Sequence, residues 1–383
     1  MCPAPKDGAE LARGVAALGV DPLVEAAGDA SLYLVGGAVR DLLLGRERTD
    51  IDVAVEGDAL ALGRRLGGDI REHERFGTAK VTIDGRQVDL AGTRAERYER
   101  PGALPEVRPA ALAEDLARRD FTINAMAVPL AEPGELIDPH GGRADLDRGI
   151  LRVLHPRSFR DDPTRALRAA RYAARFGFAL GEETEGLRSD ADLDSVSADR
   201  VEAELTRLAA EPEWHRAFEL LARWGLVELG DPELMEAVRE TLNEARWRGA
   251  SPPERAMLIA GGVSAGSYAA PPEPLREARR IAATQPGPPS RMAAAVRDSG
   301  PLALVVARVL GAEWLDEFMD EWRHVRLEID GEDLLSAGVA QGPAVGRGLA
   351  AALAAKLDGE ADGREDELRI ALAAARDGAE DPH

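Results

Sequence analysis

The chain has 383 residues, 45% hydrophobic but only 4% aromatic, with a formal charge of −21 and a single cysteine, Cys2. That length implies two or more domains, the composition implies helix-rich packing built on Ala, Leu and Val, and the lone cysteine excludes an internal disulfide framework and a cysteine-based zinc site. Acidic surfaces repel nucleic acid, so any RNA contact needs a local basic patch; with no secretory signal and no apolar run long enough to span a membrane, the cytoplasm is the expected compartment.

Residues 1–30 carry a helical pattern around Leu11 to Ala27. β-type runs follow at residues 32–35, 51–55, 79–83, 87–91 and 122–128. The IDGRQ stretch between the third and fourth runs reads as a hairpin turn. Helical segments at 38–44 and 59–66 sit between the early strands. The turn-rich DPHGGRADLDRG, Asp138 to Gly149, closes a head at residues 31–150. From Pro163 onward helix signals dominate: PTRALRAARYAARFGF sets Leu167, Ala170, Ala174 and Phe178 at helical spacing, and DRVEAELTRLAA is a further helix. The expected fold is α+β, a head with a small mixed β-sheet followed by an all-helical neck at 151–212 and an all-helical body and tail at 213–383.

The stretch LYLVGGAVRDLLLGRERTDIDVAV, Leu32 to Val55, carries the first chemistry. Alternate side chains of a strand share a face, so Asp50 and Asp52 point the same way, and two carboxylates on one face suit hard divalent cations such as Mg2+. Gly36 and Gly37 let the backbone approach a ligand closely. The helix start after them offers N–H groups to phosphate oxygens, and Arg40, one turn in, adds a charged fork. Phosphate, metal and two carboxylates are the minimal apparatus of two-metal phosphoryl transfer. Each short motif alone is common in turns and loop edges; their order and tight spacing point to chemistry. Asp89 in RQVDLAG is open between a third carboxylate and an ordinary polar position on a half-exposed strand.

In order, LVGGAVRDLLLG…TDIDVAV, RRDFTINAMA, IDPHGGRADLDRGILR and DDPTRALRAARYAARFGF resemble the class II tRNA nucleotidyltransferases and bacterial poly(A) polymerases, over about residues 30 to 210. The far C-terminal EIDGEDLLSAGVAQGPAVGRGL resembles that family's tail. The resemblance implies a nucleotidyltransferase head in which Asp50 and Asp52 bind catalytic Mg2+, Asp89 is the third catalytic carboxylate, and Gly36, Gly37 and Arg40 hold the triphosphate. It assigns Arg119 and Asp120 to the ribose, whose 2′-hydroxyl both donates and accepts, so ribonucleotides are preferred; Asn124 holds the motif's shape. Asp162 and Arg165 are assigned to the base, and Arg168 and Arg171 to further nucleotide contacts. Outside the family order, Arg118, Arg119 and Asp120 read as a surface salt-bridge cluster, and Asp162 as a helix N-cap with Pro163 at the first helical position.

A carboxylate beside a guanidinium can choose between bases. Cytosine and adenine both present an amino donor beside a ring-nitrogen acceptor, which aspartate and arginine satisfy. Guanine and uracil present the reverse order, leaving both contacts repulsive and unpaired. Asp162 with Arg165 is thus a protein template for C and A. One departure is that this chain has Asp161-Asp162-Pro163-Thr164 where the family often has Glu-Asp and two non-proline residues.

Residues 151–180 hold seven arginines against two aspartates, net +5, on an otherwise acidic chain, which fits a basic channel for RNA. The implied partners are a tRNA 3′ end, CTP and ATP, with no membrane. The implied product is CCA, with A-only addition close behind. CC-only addition is less favoured because RAERYERPGALPEVRPAALAEDLARRDF fills the region after Asp89, and poly(A) synthesis less still because the chain lacks a long basic tail. A small-molecule nucleotidyltransferase would share the metal pair without needing the base template or the helical body.

Overall fold

The structure is a computed structural model that describes residues 7–46, 51–67, 70–73 and 77–377. Asp50 lies outside the described residues.

The chain forms two compact units, one running to Glu228 and taking in Ala265–Tyr268, the other comprising Leu229–Ser264 and the chain from Ala269 onward. The first begins with two short helices, α1 (Gly8–Ala16) and α2 (Asp21–Ala26). The single helical pattern expected there is interrupted at Gly19, whose φ of +69° a right-handed helix cannot hold. Next come β1 (Ser31–Val35), α3 (Gly37–Leu43), β2 (Ile51–Glu56), α4 (Ala59–Leu66), β3 (Ile70–His73), β4 (Thr78–Ile83) and β5 (Arg86–Gly92). The β4–β5 turn has positive φ at Asp84 (48°) and Gly85 (77°), the requirement of a tight two-residue hairpin. Strand β8 (Ala127–Pro129) completes a six-stranded sheet in the order β3-β4-β5-β2-β1-β8. Its one parallel pair is β2 with β5. Buried Leu34, Val53, Val55, Val81 and Leu90 join Val39 of α3 and Leu62 of α4 in the core.

Between β5 and β8 the chain forms a two-stranded antiparallel ribbon, β6 (Arg94–Arg97) with β7 (Glu106–Pro109), and helix α5 (Leu112–Ala117). The strand expected over 122–128 is shorter. Thr122–Asn124 form a 3-10 turn, because Asp120 accepts hydrogen bonds from the Phe121 N–H (2.8 Å) and the Asn124 amide (2.9 Å) and so diverts the backbone from a ladder. Helix α6 (Gly142–Arg148), the short parallel pair β9 (Ile150–Leu151) and β10 (Ala179–Leu180), and helices α7 (Ser158–Asp161), α8 (Thr164–Phe176), α9 (Glu182–Leu187), α10 (Ala198–Ala209) and α11 (Trp214–Arg223) finish the unit. Helix α8 starts one residue later than expected: Pro163 occupies the N-cap position, and Asp162 caps from just outside, its Oδ1 accepting from Thr164 N (3.2 Å) and Thr164 Oγ1 (2.6 Å). Its buried Ala166, Leu167, Ala169 and Ala170 seat the helix, while its arginines fall on other faces.

The second unit is helical: α12 (Pro232–Asn243), α13 (Pro253–Ala260), α14 (Pro272–Ala282), α15 (Pro289–Ala295), α16 (Pro301–Val309), α17 (Leu315–Asp320), α18 (Gly331–Ser336), α19 (Pro343–Leu357) and α20 (Gly363–Asp377). Prolines at the first turns of most of these helices start them where no N–H is needed. Helices α19 and α20 approach so closely at Gly348 that a Cβ there would stand 2.6 Å from the Ala371 carbonyl oxygen. No helix among the described residues is long and apolar enough to cross a membrane.

Candidate active site

A cavity of about 390 Å³ opens in the first unit, lined by Gly36, Gly37, Asp52, Tyr98, Asp162 and Arg165 among others. Its lining is predominantly polar, with few apolar side chains.

The glycine turn follows β1. Gly36 has φ +64°, and a Cβ there would lie 2.8 Å from Arg119 Nη1 and 3.9 Å from Asp52 Oδ2. A side chain would therefore fill the space these two groups face. Asp52 sits on β2 in direct register with Asp89 on β5, so both carboxylates project from the same sheet face. Asp89 is half-exposed, ion-paired with its other cross-strand neighbour Lys80 (3.2 Å), and does not line the cavity. These are hard oxygen donors, the kind Mg2+ takes. Among the described residues no group of three or more His, Cys, Asp or Glu is placed to hold a metal. Arg40 lies beneath the turn, 4% exposed, with Nη1 donating to Asn124 Oδ1 (2.7 Å), Nε donating to Asp41 (2.9 Å), and the guanidinium over the rings of Tyr172 and Phe176. Burial works against its charge, but the Asp41 carboxylate and other neighbours outweigh that and hold its pKa above the ordinary value.

Arg119 and Asp120 both line the cavity. Arg119 is held by Asp115 (2.8 Å) and donates to the Asn124 carbonyl (3.4 Å). Asp120 is fixed by Phe121 N and Asn124 as above, and its Oδ2 accepts from Arg168 Nε (3.2 Å). Arg168 reaches three carboxylates at once: Asp120, Asp162 (3.0 Å) and Glu204 (3.4 Å). Burial would raise the pKa of Asp120 and of Asp162, but the Arg168 charge foremost, with the hydrogen bonds they accept, holds both below the ordinary carboxylate value. Conversely these carboxylates push Arg168 well above its own, against the effect of burial.

Arg165 is 3% exposed. Its Nη1 donates to Ser158 Oγ (2.7 Å) and its Nη2 to the Arg118 carbonyl (2.8 Å). Its Nε is buried with no hydrogen-bond partner and lies 3.9 Å from Asp162 Oδ2. One N–H donor with no hydrogen-bond partner thus stands beside a carboxylate oxygen, within two residues that line the cavity.

The arginine ridge of α8 is less basic than its own segment implies. Arg168, Arg171 and Arg175 face Glu204 of α10 and Glu211 just beyond it. Arg171 does not line the cavity, and its guanidinium lies over Tyr172. Other residues of the wall escaped the sequence reading. Glu96 lies on β6 and Tyr98 one residue beyond it; Arg94, Glu96 and Tyr98 alternate at the period of a strand face, a short signal set close to the breakers Pro101, Gly102 and Pro105. Tyr98 donates to Glu96 (3.2 Å), which accepts from Arg118 (2.7 Å). Arg200 of α10 donates to both Asp162 Oδ1 (3.0 Å) and the Gly102 carbonyl (2.7 Å), and no local pattern announces it.

Residues 32–152 match the model of the poly A polymerase head domain. Over 332 residues the chain is 37% identical to the CC-adding tRNA nucleotidyltransferase of Deinococcus radiodurans, covering 83% of this chain and 82% of that protein. The chain belongs to the class II tRNA nucleotidyltransferase family. Within the family it is also 44% identical, over 194 residues, to the A-adding tRNA nucleotidyltransferase of Halalkalibacterium halodurans, covering 47% of this chain and 45% of that one. It spans less than half the length of the A-adding relatives it matches. The fold is shared with the Thermotoga maritima CCA-adding enzyme, solved in complex with tRNA, at TM-score 0.65 and 27% identity, covering 95% of this chain and 98% of that one.

Proposed function

We propose that this chain extends tRNA 3′ ends with CCA in the cytoplasm, taking CTP and ATP as substrates. The observation that carries this reading is the unpartnered Arg165 Nε–H beside Asp162 Oδ2, in two residues lining a cavity that Gly36, Gly37 and Asp52 also line. That pair is complementary to the amino group and ring nitrogen that C and A share, and mismatched to G and U.

The RNA 3′-hydroxyl attacks the α-phosphate of the bound nucleotide and pyrophosphate leaves. Gly36 and Gly37 leave room for the triphosphate, with the Arg40 charge behind them. Asp52, with Asp50 two residues before it in the sequence, would hold Mg2+, which when bound lowers the pKa of the attacking hydroxyl and neutralises the triphosphate; Asp89, on the same sheet face and ion-paired with Lys80, supplies a further carboxylate beside them. Arg119 and Asp120 contact the ribose, selecting ribonucleotides. Arg168 orients Asp162 and Asp120 together, so that sugar and base are held in one frame, and Arg171 adds positive charge behind that frame.

Addition of A alone is the second reading. It is favoured by the 44% identity to an A-adding relative across 47% of the chain and by the PGALPEV form of the ribbon turn. Incubating the chain with tRNA transcripts that end before the CCA, after the two cytidines, or complete, each with labelled CTP or ATP, separates the two. CCA synthesis extends the first transcript with both nucleotides; A-only addition extends just the second.

A further inference from the structure

Two aromatic side chains line the cavity, Tyr98 and Tyr172. Tyr172 is committed: its ring meets Phe121 edge-on at 5.9 Å, stacks with Phe176 at 6.0 Å, and carries the guanidinium groups of Arg40 and Arg171 at 5.2 and 5.1 Å. Tyr98 has no ring or guanidinium packed on it among the described residues. It is nevertheless held in place. Its hydroxyl donates to Glu96 Oε2, Glu96 is pinned by Arg118, and the Arg118 carbonyl receives Arg165 Nη2. The tyrosine and the base-reading arginine therefore share one hydrogen-bonded frame. Burial foremost, with Glu96 and Asp162 adding to it, pushes the phenol up to about 12, so the ring stays neutral at working pH.

A donor and an acceptor side by side fix the edge of a flat base but leave it free to tilt about the line joining them. A ring against one face removes that freedom. We propose that Tyr98 is the stacking platform for the base of the incoming nucleotide, a positioning role that serves C and A alike because every base has a π-face. The inference rests on the assignment of this cavity to CTP and ATP.

The test measures dissociation constants of the full chain for CTP, ATP and ribose 5′-triphosphate, without RNA, for wild type and for Tyr98→Leu and Tyr98→Phe. Leucine keeps apolar bulk at this position but removes the ring. Tyr98→Leu is expected to weaken ATP and CTP binding by roughly 5- to 150-fold, the range for losing one stacked base. The larger loss falls on ATP, whose purine offers more π-surface, and Tyr98→Phe loses less. Ribose 5′-triphosphate, which has no base to stack, keeps its affinity. If Tyr98→Leu binds CTP and ATP as wild type does, or loses ribose 5′-triphosphate equally, the stacking role is overturned while the assignment of the cavity survives. A wild-type chain that binds neither nucleotide overturns both.

Discussion

Arg165 and Asp162 stand side by side with Nε 3.9 Å from Oδ2, and the Nε is the one nitrogen of that guanidinium with no hydrogen-bond partner. The other two are tied to Ser158 and the Arg118 carbonyl, so the free N–H cannot swing away to suit a different base. Rigidity of this kind is what turns a donor and an acceptor into a discriminating pair. Arg165→Ala is therefore expected to reduce the preference for CTP over UTP by the equivalent of about 1–3 kcal/mol, the usual worth of a two-point base contact. Single-nucleotide incorporation assays with each of the four triphosphates read this; unchanged rejection of UTP would count against the template.

Arg168 ties that template to the ribose motif, and its removal leaves Asp120, Asp162 and Glu204 without their shared counter-charge. Arg168→Met should destabilise the fold by about 3–5 kcal/mol at neutral pH, as for one partner lost from a buried ion pair. The pH dependence follows from the two aspartates. Both have folded-state pKa values below the ordinary 3.8, so their stabilisation is complete above that value and is lost as pH falls through the lower folded values. Arg168→Met removes the largest charge that lowers either carboxyl, so both move upward and acid unfolding should begin at higher pH. Circular dichroism across an acid titration checks this; an identical acid midpoint would show that other groups hold the aspartates.

Much of the head was legible because its signals are local. The strand period put hydrophobic residues of β1, β2, β4 and β5 in register with a core, and the Asp84-Gly85 turn between β4 and β5 follows from residues that tolerate positive φ. What escaped depends on partners far along the chain. The β2–β5 pairing that puts Asp89 beside Asp52 is a long-range parallel contact, and no periodicity within either strand contains it. The arginines of α8 looked like a basic ridge because a count over 151–180 cannot include Glu204 and Glu211, which come from beyond that window. No strand is expected over residues 94–109 because Pro101, Gly102 and Pro105 outweigh the short alternation that makes the β6–β7 ribbon.

Gly36→Ala tests the close approach at the turn. Its φ of +64° is costly for any residue with a Cβ, about 1–3 kcal/mol, and that Cβ would press on Arg119 Nη1 at 2.8 Å. We expect a lowered melting temperature together with weaker discrimination of ATP from dATP, since Arg119 must move. A variant that keeps both properties would mean that the turn has room to spare.

Asp52→Ala separates chemistry from folding. Asp52 lines the cavity on a strand whose core is built by Ile51, Val53 and Val55, so the variant should fold with a melting temperature close to wild type. Transfer should fall by more than about a hundredfold, beyond the range for residues that only support metal ligands. Near-normal turnover would remove Asp52 from the metal site.

The most direct measurement is incorporation of labelled CTP, ATP, UTP and GTP into a tRNA transcript lacking its terminal CCA, by the wild-type chain with Mg2+. CTP and ATP should enter in the order C, C, A and extension should stop there, while UTP and GTP are refused. No incorporation at all would contradict CCA synthesis, and incorporation of the four nucleotides alike would contradict the reading of C and A by Asp162 and Arg165.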